Sequence, residues 1–227
     1  MKAIILAAGV GSRLGNSLPK PLTELISGES ILEWQIKMLK SSSCPQIIVV
    51  VGFKKELIME KFPDVLYVYN PDYLKENTSK SLLRALSLID EDVLWLNGDV
   101  VFHPKTIKSI LSSKRAAMLV NSSKVGEEEV KYNLNSSGFI KEIAKTVSDP
   151  RGEAVGINFF PKESLGMLRD NLRSCKREDY FEYAIQLCIH QGLDVEAVEC
   201  AEGDCVEIDF PEDLQRANDL VKQWDLT

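Results

Sequence analysis

The sequence predicts a doubly wound α/β fold on a mostly parallel, mixed sheet, and three observations carry that expectation. Short apolar, β-favouring runs recur with helical stretches between them, as strands buried on both faces and joined by crossover helices do. The first run, residues 2–7, leaves into a glycine-containing loop, Gly9-Val10-Gly11, the usual exit from the carboxyl edge of an open sheet. Strand, helix, strand then repeats up to about residue 114, a pattern that right-handed crossovers turn into parallel pairing.

Strands are expected at 2–7, 46–52, 65–69 and 93–96. Between the first two, Ser30-Ile31-Leu32-Glu33 has the spacing of a capping box, which opens a helix to about residue 40. Further helices are expected near 54–61, 79–89 and 105–112. Beyond residue 114 strand-like runs at 116–121, 129–133, 139–145 and 154–160 follow one another across turn residues, so this section is expected to be mixed or antiparallel. Helices near 162–172 and 180–190, a strand near 195–198 and a helix after Pro211 complete the chain. With no internal repeat and no Pro/Ser-rich linker, residues 1–227 are read as one domain with a change of character near 114.

The 227 residues are 44% hydrophobic and 27% charged, enough apolar material for a substantial core. The formal net charge of −7 lacks the basic footprint that phosphate-backbone binding requires, so nucleic acid is excluded as the expected partner. An anionic ligand must be held by local basic groups and backbone amides. No run approaches the roughly 18 apolar residues of a spanning helix, and the apolar start is short for a signal peptide. No membrane partner is expected, and the chain is read as cytoplasmic. Five cysteines without a CxxC pair fit neither a disulfide framework nor a zinc site, so reduced, buried thiols are expected.

The strongest signal is Leu6-Ala7-Ala8-Gly9-Val10-Gly11-Ser12-Arg13-Leu14, followed by Pro19-Lys20-Pro21-Leu22. Gly9 and Gly11 let the backbone approach a phosphate chain, and Arg13 and Lys20 add the positive charge a triphosphate requires. A tight turn with two solvated bases is the alternative for the same residues. A second signal is Asn97-Gly98-Asp99 at the end of the fourth strand; a third is Glu207-Ile208-Asp209 before the last helix. Magnesium arriving with a triphosphate prefers one or two carboxylates plus phosphate oxygens and water, so one aspartate from each place suffices. Asn97-Gly98 is equally a hairpin-turn signal, and Asp209 or Asp213 is equally a helix cap. His103, before a proline, and His190, at a helix end, are read as structural.

The stretch from Leu6 to Leu22 resembles the nucleotidyltransferases that join a nucleoside triphosphate to a phosphorylated sugar or alcohol, whose signature reads LxxGxGxRL followed by PKPL. The resemblance covers nearly the whole chain. It implies a Rossmann-like fold of the nucleotide-diphospho-sugar transferase kind, with a nucleotide-binding half at about 1–114 and an acceptor-binding half at about 115–227. It implies that Leu6, Ala8, Gly9 and Gly11 hold the nucleotide while Arg13 and Lys20 neutralise the triphosphate. It makes Asp99 and Asp209 ligands of magnesium; Glu207, on the same face as Asp209 by strand alternation, is a second-tier candidate.

Tyr69-Asn70-Pro71, Asn77-Thr78-Ser79-Lys80-Ser81 and the late Glu-Ile-Asp element look like the phosphocholine cytidylyltransferase branch. That branch usually has two adjacent asparagines and an aromatic where this chain has Asn77-Thr78-Ser79-Lys80. Asn77 and Ser81 are the expected contacts to base or ribose. Lys145 resembles the family's lysine for the acceptor phosphate, with Glu153 nearby, and Asp179-Tyr180-Phe181-Glu182 resembles the branch's D-W-Y-E element. Aromatic faces with carboxylates suit an ammonium head group, although Tyr180, Phe181 and Tyr183 serve equally as core anchors. The expectation is CMP transfer from CTP to a small phosphorylated alcohol or amine such as phosphocholine, or to an aminophosphonate, with release of pyrophosphate. The alternatives are a sugar-1-phosphate nucleotidyltransferase using UTP, GTP or dTTP, and a non-catalytic nucleotide-binding regulator.

Overall fold

The computed structural model of the chain describes residues 1–11, 18–42, 44–122, 125–126 and 129–224. At its centre β1 (Lys2–Ala7) lies between β2 (Ile47–Val51) and β4 (Val93–Asn97), parallel to both, and β3 (Leu66–Tyr69) continues the parallel set beyond β2. On the other side β9 (Gly152–Phe160) runs antiparallel to β4 and to β6 (Ala116–Asn121), and β10 (Val195–Glu199) pairs parallel with β6. The order is β10-β6-β9-β4-β1-β2-β3. The same sheet takes in β7 (Lys131–Leu134) and β8 (Ile140–Ala144), an antiparallel pair attached through β9.

Period-two alternation sends successive side chains of β1 to opposite faces. Ala3, Ile5 and Ala7 join one core with Leu32 and Leu39 of α1 (Ile31–Ser41), Ile107 of α4 (Pro104–Leu111) and Ala217 of α7 (Pro211–Gln223). Ile4, Leu6 and Ala8 join the other with Leu82 of α3 (Thr78–Leu86), Leu168 of α5 (Lys162–Ser174) and Ile185 of α6 (Phe181–His190). The short α2 (Lys55–Lys61) buries Ile58 against the first core. The five cysteines are free and buried, and burial pushes the Cys44 thiol up to about 11.

Side chains at the helix starts take up free backbone N–H groups. Ser30 accepts the Glu33 N–H at 3.3 Å to open α1, and the Asn77 side chain accepts the Thr78 N–H at 2.8 Å to open α3. His103 caps α4, its Nδ1 accepting the Lys105 N–H at 3.1 Å. Among the described residues no helix is long and apolar enough to cross a membrane.

Two elements were not anticipated. β5 (Val100–Phe102) and β11 (Cys205–Glu207) pair antiparallel as a separate ribbon; at three residues each they are too short for alternation to be read. Their pairing also removes the hairpin alternative for Asn97-Gly98, because β5 leaves to meet β11 and does not fold back on β4.

The chain steps from β1 to β2 and β3 on one side, then crosses back to β4 on the other side of β1. Open sheets bind ligands beyond the carboxyl ends of strands at such a switch point, and the glycine loop and Asp99 both emerge there.

Candidate active site

A cavity of about 380 Å³ opens at that edge, within the range of small-molecule sites. Its floor is the meeting of β1 and β4. Leu6 pairs with Asn97 in register, and the Gly98 N–H donates to the Leu6 carbonyl at 3.0 Å. A Cβ at Gly98 would stand 2.7 Å from that oxygen, so only glycine lets the turn after β4 lie so close on β1. Gly11 has φ +62° and leaves room for Lys20, whose Cβ would be 2.5 Å from a Cβ at position 11. Leu6, Gly9 and Gly11 all line the cavity. Arg13 lies outside the described residues.

Lys20 begins a single 3₁₀ turn between Pro19 and Pro21. Its side chain is one-tenth exposed, and Nζ donates to Asp99 Oδ2 and Asp209 Oδ1, each at 2.7 Å. Burial works against the charge of Lys20, but the two carboxylates outweigh it and hold the ammonium above its ordinary pKa. Asp99 Oδ1 is buried, with no hydrogen-bond partner among the described residues. Asp209 is not the cap of α7. Asp213 takes that role, its Oδ2 accepting the N–H groups of Asp209 at 3.0 Å and Phe210 at 2.8 Å.

Glu207 joins the same wall; burial, then the charges of Asp99, Glu129 and Asp209, push its carboxyl well above the usual range, with Lys20 opposing. Glu129, also on the wall, is raised by burial first and then by Glu153, Asp209 and Asp213. It was not anticipated. It stands in the run Glu127-Glu128-Glu129, which reads as solvated surface charge.

The lining also includes Lys145, Tyr180 and Glu182. Lys145 Nζ sits 4.9 Å from the centre of the Tyr180 ring, and that ring is 42% exposed. Glu182 is 6% exposed, its Oε2 has no partner among the described residues, and burial pushes its carboxyl up to about 7 against the pull of Lys145.

Three expected acceptor contacts do not reach the cavity. Phe181 is fully buried and meets Trp95 edge-on at 5.7 Å, because one step of helix turns it inward between Tyr180 and Glu182. The Asp179 carboxylate is occupied by the Lys176 N–H at 2.7 Å in the turn before α6. Strand alternation presents Ala154 and Gly156 to the cavity, whereas Glu153 takes the Gly126 N–H at 3.3 Å.

A smaller hollow of about 70 Å³ adjoins the first and shares Leu6, Gly9, Asn77 and Thr78 with it. Ala8 and Ser81 line this one, together with Tyr73 and Glu76. The Ser81 hydroxyl oxygen accepts from Asn70 Nδ2 at 3.1 Å. His103 and His190 line neither space.

The site therefore joins a glycine loop, one buried cation held by two carboxylates, and a second cation beside an aromatic face. The chain is 34% identical over 131 residues to CMP-5'-(3-aminopropyl)phosphonate synthase of Streptomyces rubellomurinus, covering 54% of this chain and 21% of that protein. It is 26% identical to the UTP–glucose-1-phosphate uridylyltransferase AglF of Haloferax volcanii, across 98% of this chain and 97% of that one. The chain spans 38% or less of the length of the first three curated relatives it matches. The solved CTP:phosphocholine cytidylyltransferase of Streptococcus pneumoniae superposes with a TM-score of 0.79 at 21% identity, over 97% of this chain and 98% of that one, which shows the shared fold. The MobA-like NTP transferase domain matches residues 3–169, and the chain belongs to that nucleotidyltransferase family.

Proposed function

We propose that the protein transfers CMP from CTP to a small phosphorylated alcohol or amine, or to an aminophosphonate, with a cationic head group. An acceptor phosphate or phosphonate oxygen attacks the α-phosphorus, the bond to the bridging oxygen of the β-phosphate breaks, and pyrophosphate leaves. The acceptor oxyanion is already ionised near neutral pH, so positioning and charge neutralisation carry the reaction. In this reading residues 1–114 hold the nucleotide and residues 115–227 hold most of the acceptor. Leu6, Gly9 and Gly11 cradle the nucleotide, Lys20 faces the phosphates, Arg13 has the charge-neutralising role that the sequence resemblance gives it, and Lys145 takes the acceptor phosphate.

Asp99 and Asp209 fit a hard divalent cation: two carboxylates converge on Lys20, and one oxygen of Asp99 is buried without a hydrogen-bond partner among the described residues. They would hold magnesium, which when bound screens the triphosphate and the departing pyrophosphate.

The observation that carries the choice of acceptor is Glu182. A buried carboxylate whose Oε2 has no partner among the described residues, in the same lining as Tyr180, suits an ammonium group, which repays both the lost solvation and the empty hydrogen-bond site. The likeness to an aminophosphonate-handling relative supports the same reading. A sugar 1-phosphate acceptor with UTP, GTP or dTTP is the second reading, favoured by the likeness to a uridylyltransferase along almost the whole chain.

The test is pyrophosphate release across the four nucleoside triphosphates, with phosphocholine, phosphoethanolamine, 2-aminoethylphosphonate and several sugar 1-phosphates. CTP with a cationic acceptor is expected to give the highest kcat/KM. A sugar 1-phosphate turning over faster with another nucleotide replaces this reading with the second.

A further inference from the structure

We infer that Glu76 is the residue that selects the nucleobase, and that it selects cytosine by accepting a hydrogen bond from the exocyclic amine. The inference rests on the CMP-transfer reading and assigns the smaller hollow to the base.

That hollow opens off the glycine loop between Leu6, Ala8 and Gly9 on one side and the segment from Tyr73 to Ser81 on the other. At about 70 Å³ it suits a single ring better than a purine. Its polar wall has a definite sense. Glu76 is held by Arg84, whose Nη2 donates to Glu76 Oε2 at 2.9 Å and to Asp72 Oδ2 at 3.0 Å. The guanidinium offsets the negative charge, so a carboxylate is tolerated next to a loop suited to phosphates. No hydrogen bond among the described residues reaches Oε1 of Glu76, which leaves it as an acceptor. The Glu76 side chain is 8% exposed and lines the hollow.

Ser81 supplies the opposite sense. Its oxygen already accepts from Asn70, so the hydroxyl hydrogen is available to donate. One acceptor and one donor on the wall complement the edge of cytosine, where the 4-amino group donates and N3 accepts. Uracil and thymine present O4 where cytosine presents the amine. A carboxylate oxygen would then face a carbonyl oxygen, with neither able to donate. A site built to bond an N–H rejects the analogue lacking it far more strongly than packing alone does.

A purely structural role for Glu76, as a counter-ion of Arg84, predicts something different. Asp72 is the other counter-ion of Arg84 and does not line the hollow, so it serves as the control. The experiment measures equilibrium binding of CTP and UTP with magnesium, and kcat/KM for both with one acceptor, in the wild type, Glu76→Gln and Asp72→Asn. A glutamine amide can turn either its oxygen or its NH₂ to the base, so Glu76→Gln should lower the CTP:UTP ratio by about tenfold or more. In Asp72→Asn the ratio should stay within about twofold of wild type. A wild-type preference for CTP that Glu76→Gln leaves unchanged, or that Asp72→Asn shifts equally, overturns the assignment of Glu76 alone. A wild-type preference for UTP overturns the CMP-transfer reading along with it.

Discussion

The Lys20 ammonium donates to Asp99 across 2.7 Å, tying the loop that follows β1 to the turn that follows β4. The same nitrogen reaches Asp209 ahead of α7, so three distant parts of the chain meet at one cation. Such a contact is worth little for folding if exposed, but this one is nine-tenths buried on the lysine side, facing a cavity suited to phosphates. Lys20→Ala should therefore lower turnover by at least about a hundredfold, as loss of one preorganised charge contact does. The far-ultraviolet circular dichroism should be retained. A variant turning over near the wild-type rate at saturating substrate would remove Lys20 from the reaction.

The second prediction separates two aspartates four residues apart. Asp209 shares Lys20 with Asp99, whereas Asp213 accepts backbone N–H groups at the start of α7. Activity should vanish with excess chelator and return with magnesium, and Asp209→Asn should raise the magnesium concentration needed for half-maximal rate. Asp213→Ala should leave that concentration unchanged and cost about 1 kcal/mol of stability through the lost cap. Equal shifts in both variants would show that Asp209 acts only through the helix start.

The third prediction concerns pH. The Glu182 carboxyl is raised by burial from an ordinary 4.5 to about 7, with Lys145 opposing. Between those values the folded protein binds more protons at this group than the unfolded chain, so stability falls as pH rises from about 4.5 through about 7. The loss at higher pH is on the order of 3 kcal/mol. Glu182→Gln stays neutral throughout and should flatten this part of the profile. Urea unfolding at pH 5 and pH 8 measures it; an equal difference between wild type and variant at both values would mean that Glu182 is ionised in the fold throughout.

Much of this arrangement was legible because it depends on local chemistry. The apolar run of β1, the Ser30 cap and the glycine loop ahead of Lys20 are each read from residues close together in the sequence, and the structure has all of them. What was not legible depends on which way a side chain turns within an element. Phe181 and Glu182 are neighbours in sequence and both were assigned to the acceptor, yet one helical step puts the first against Trp95 and the second at the cavity. Glu153 and Ala154 were separated in the same way by strand alternation. Glu129 and Glu76 reach the two hollows from outside the regular elements: the strand-like run expected from residue 129 starts only at Lys131 in β7, and Glu76 lies ahead of α3, so no periodicity directs either side chain.

The last prediction uses that helical step. Tyr180 and Phe181 are adjacent rings, one 42% exposed beside Lys145 and the other fully buried. If the head group of the acceptor is cationic, it gains roughly 0.5–2 kcal/mol from an aromatic face, depending on desolvation. Tyr180→Ala should therefore raise the KM for a cationic acceptor by about two- to thirtyfold, leave that for CTP unchanged, and preserve stability. Tyr180→Phe keeps the face and should stay near wild type. Phe181→Ala should instead lose about 3–5 kcal/mol of stability by opening a cavity against Trp95, with the KM of the remaining folded protein little altered. Acceptor KM values and urea unfolding for the three variants form the measurement. If Tyr180→Ala leaves the KM of every cationic acceptor at its wild-type value, the ring makes no contact with the head group, and Glu182 alone must account for any preference for charge.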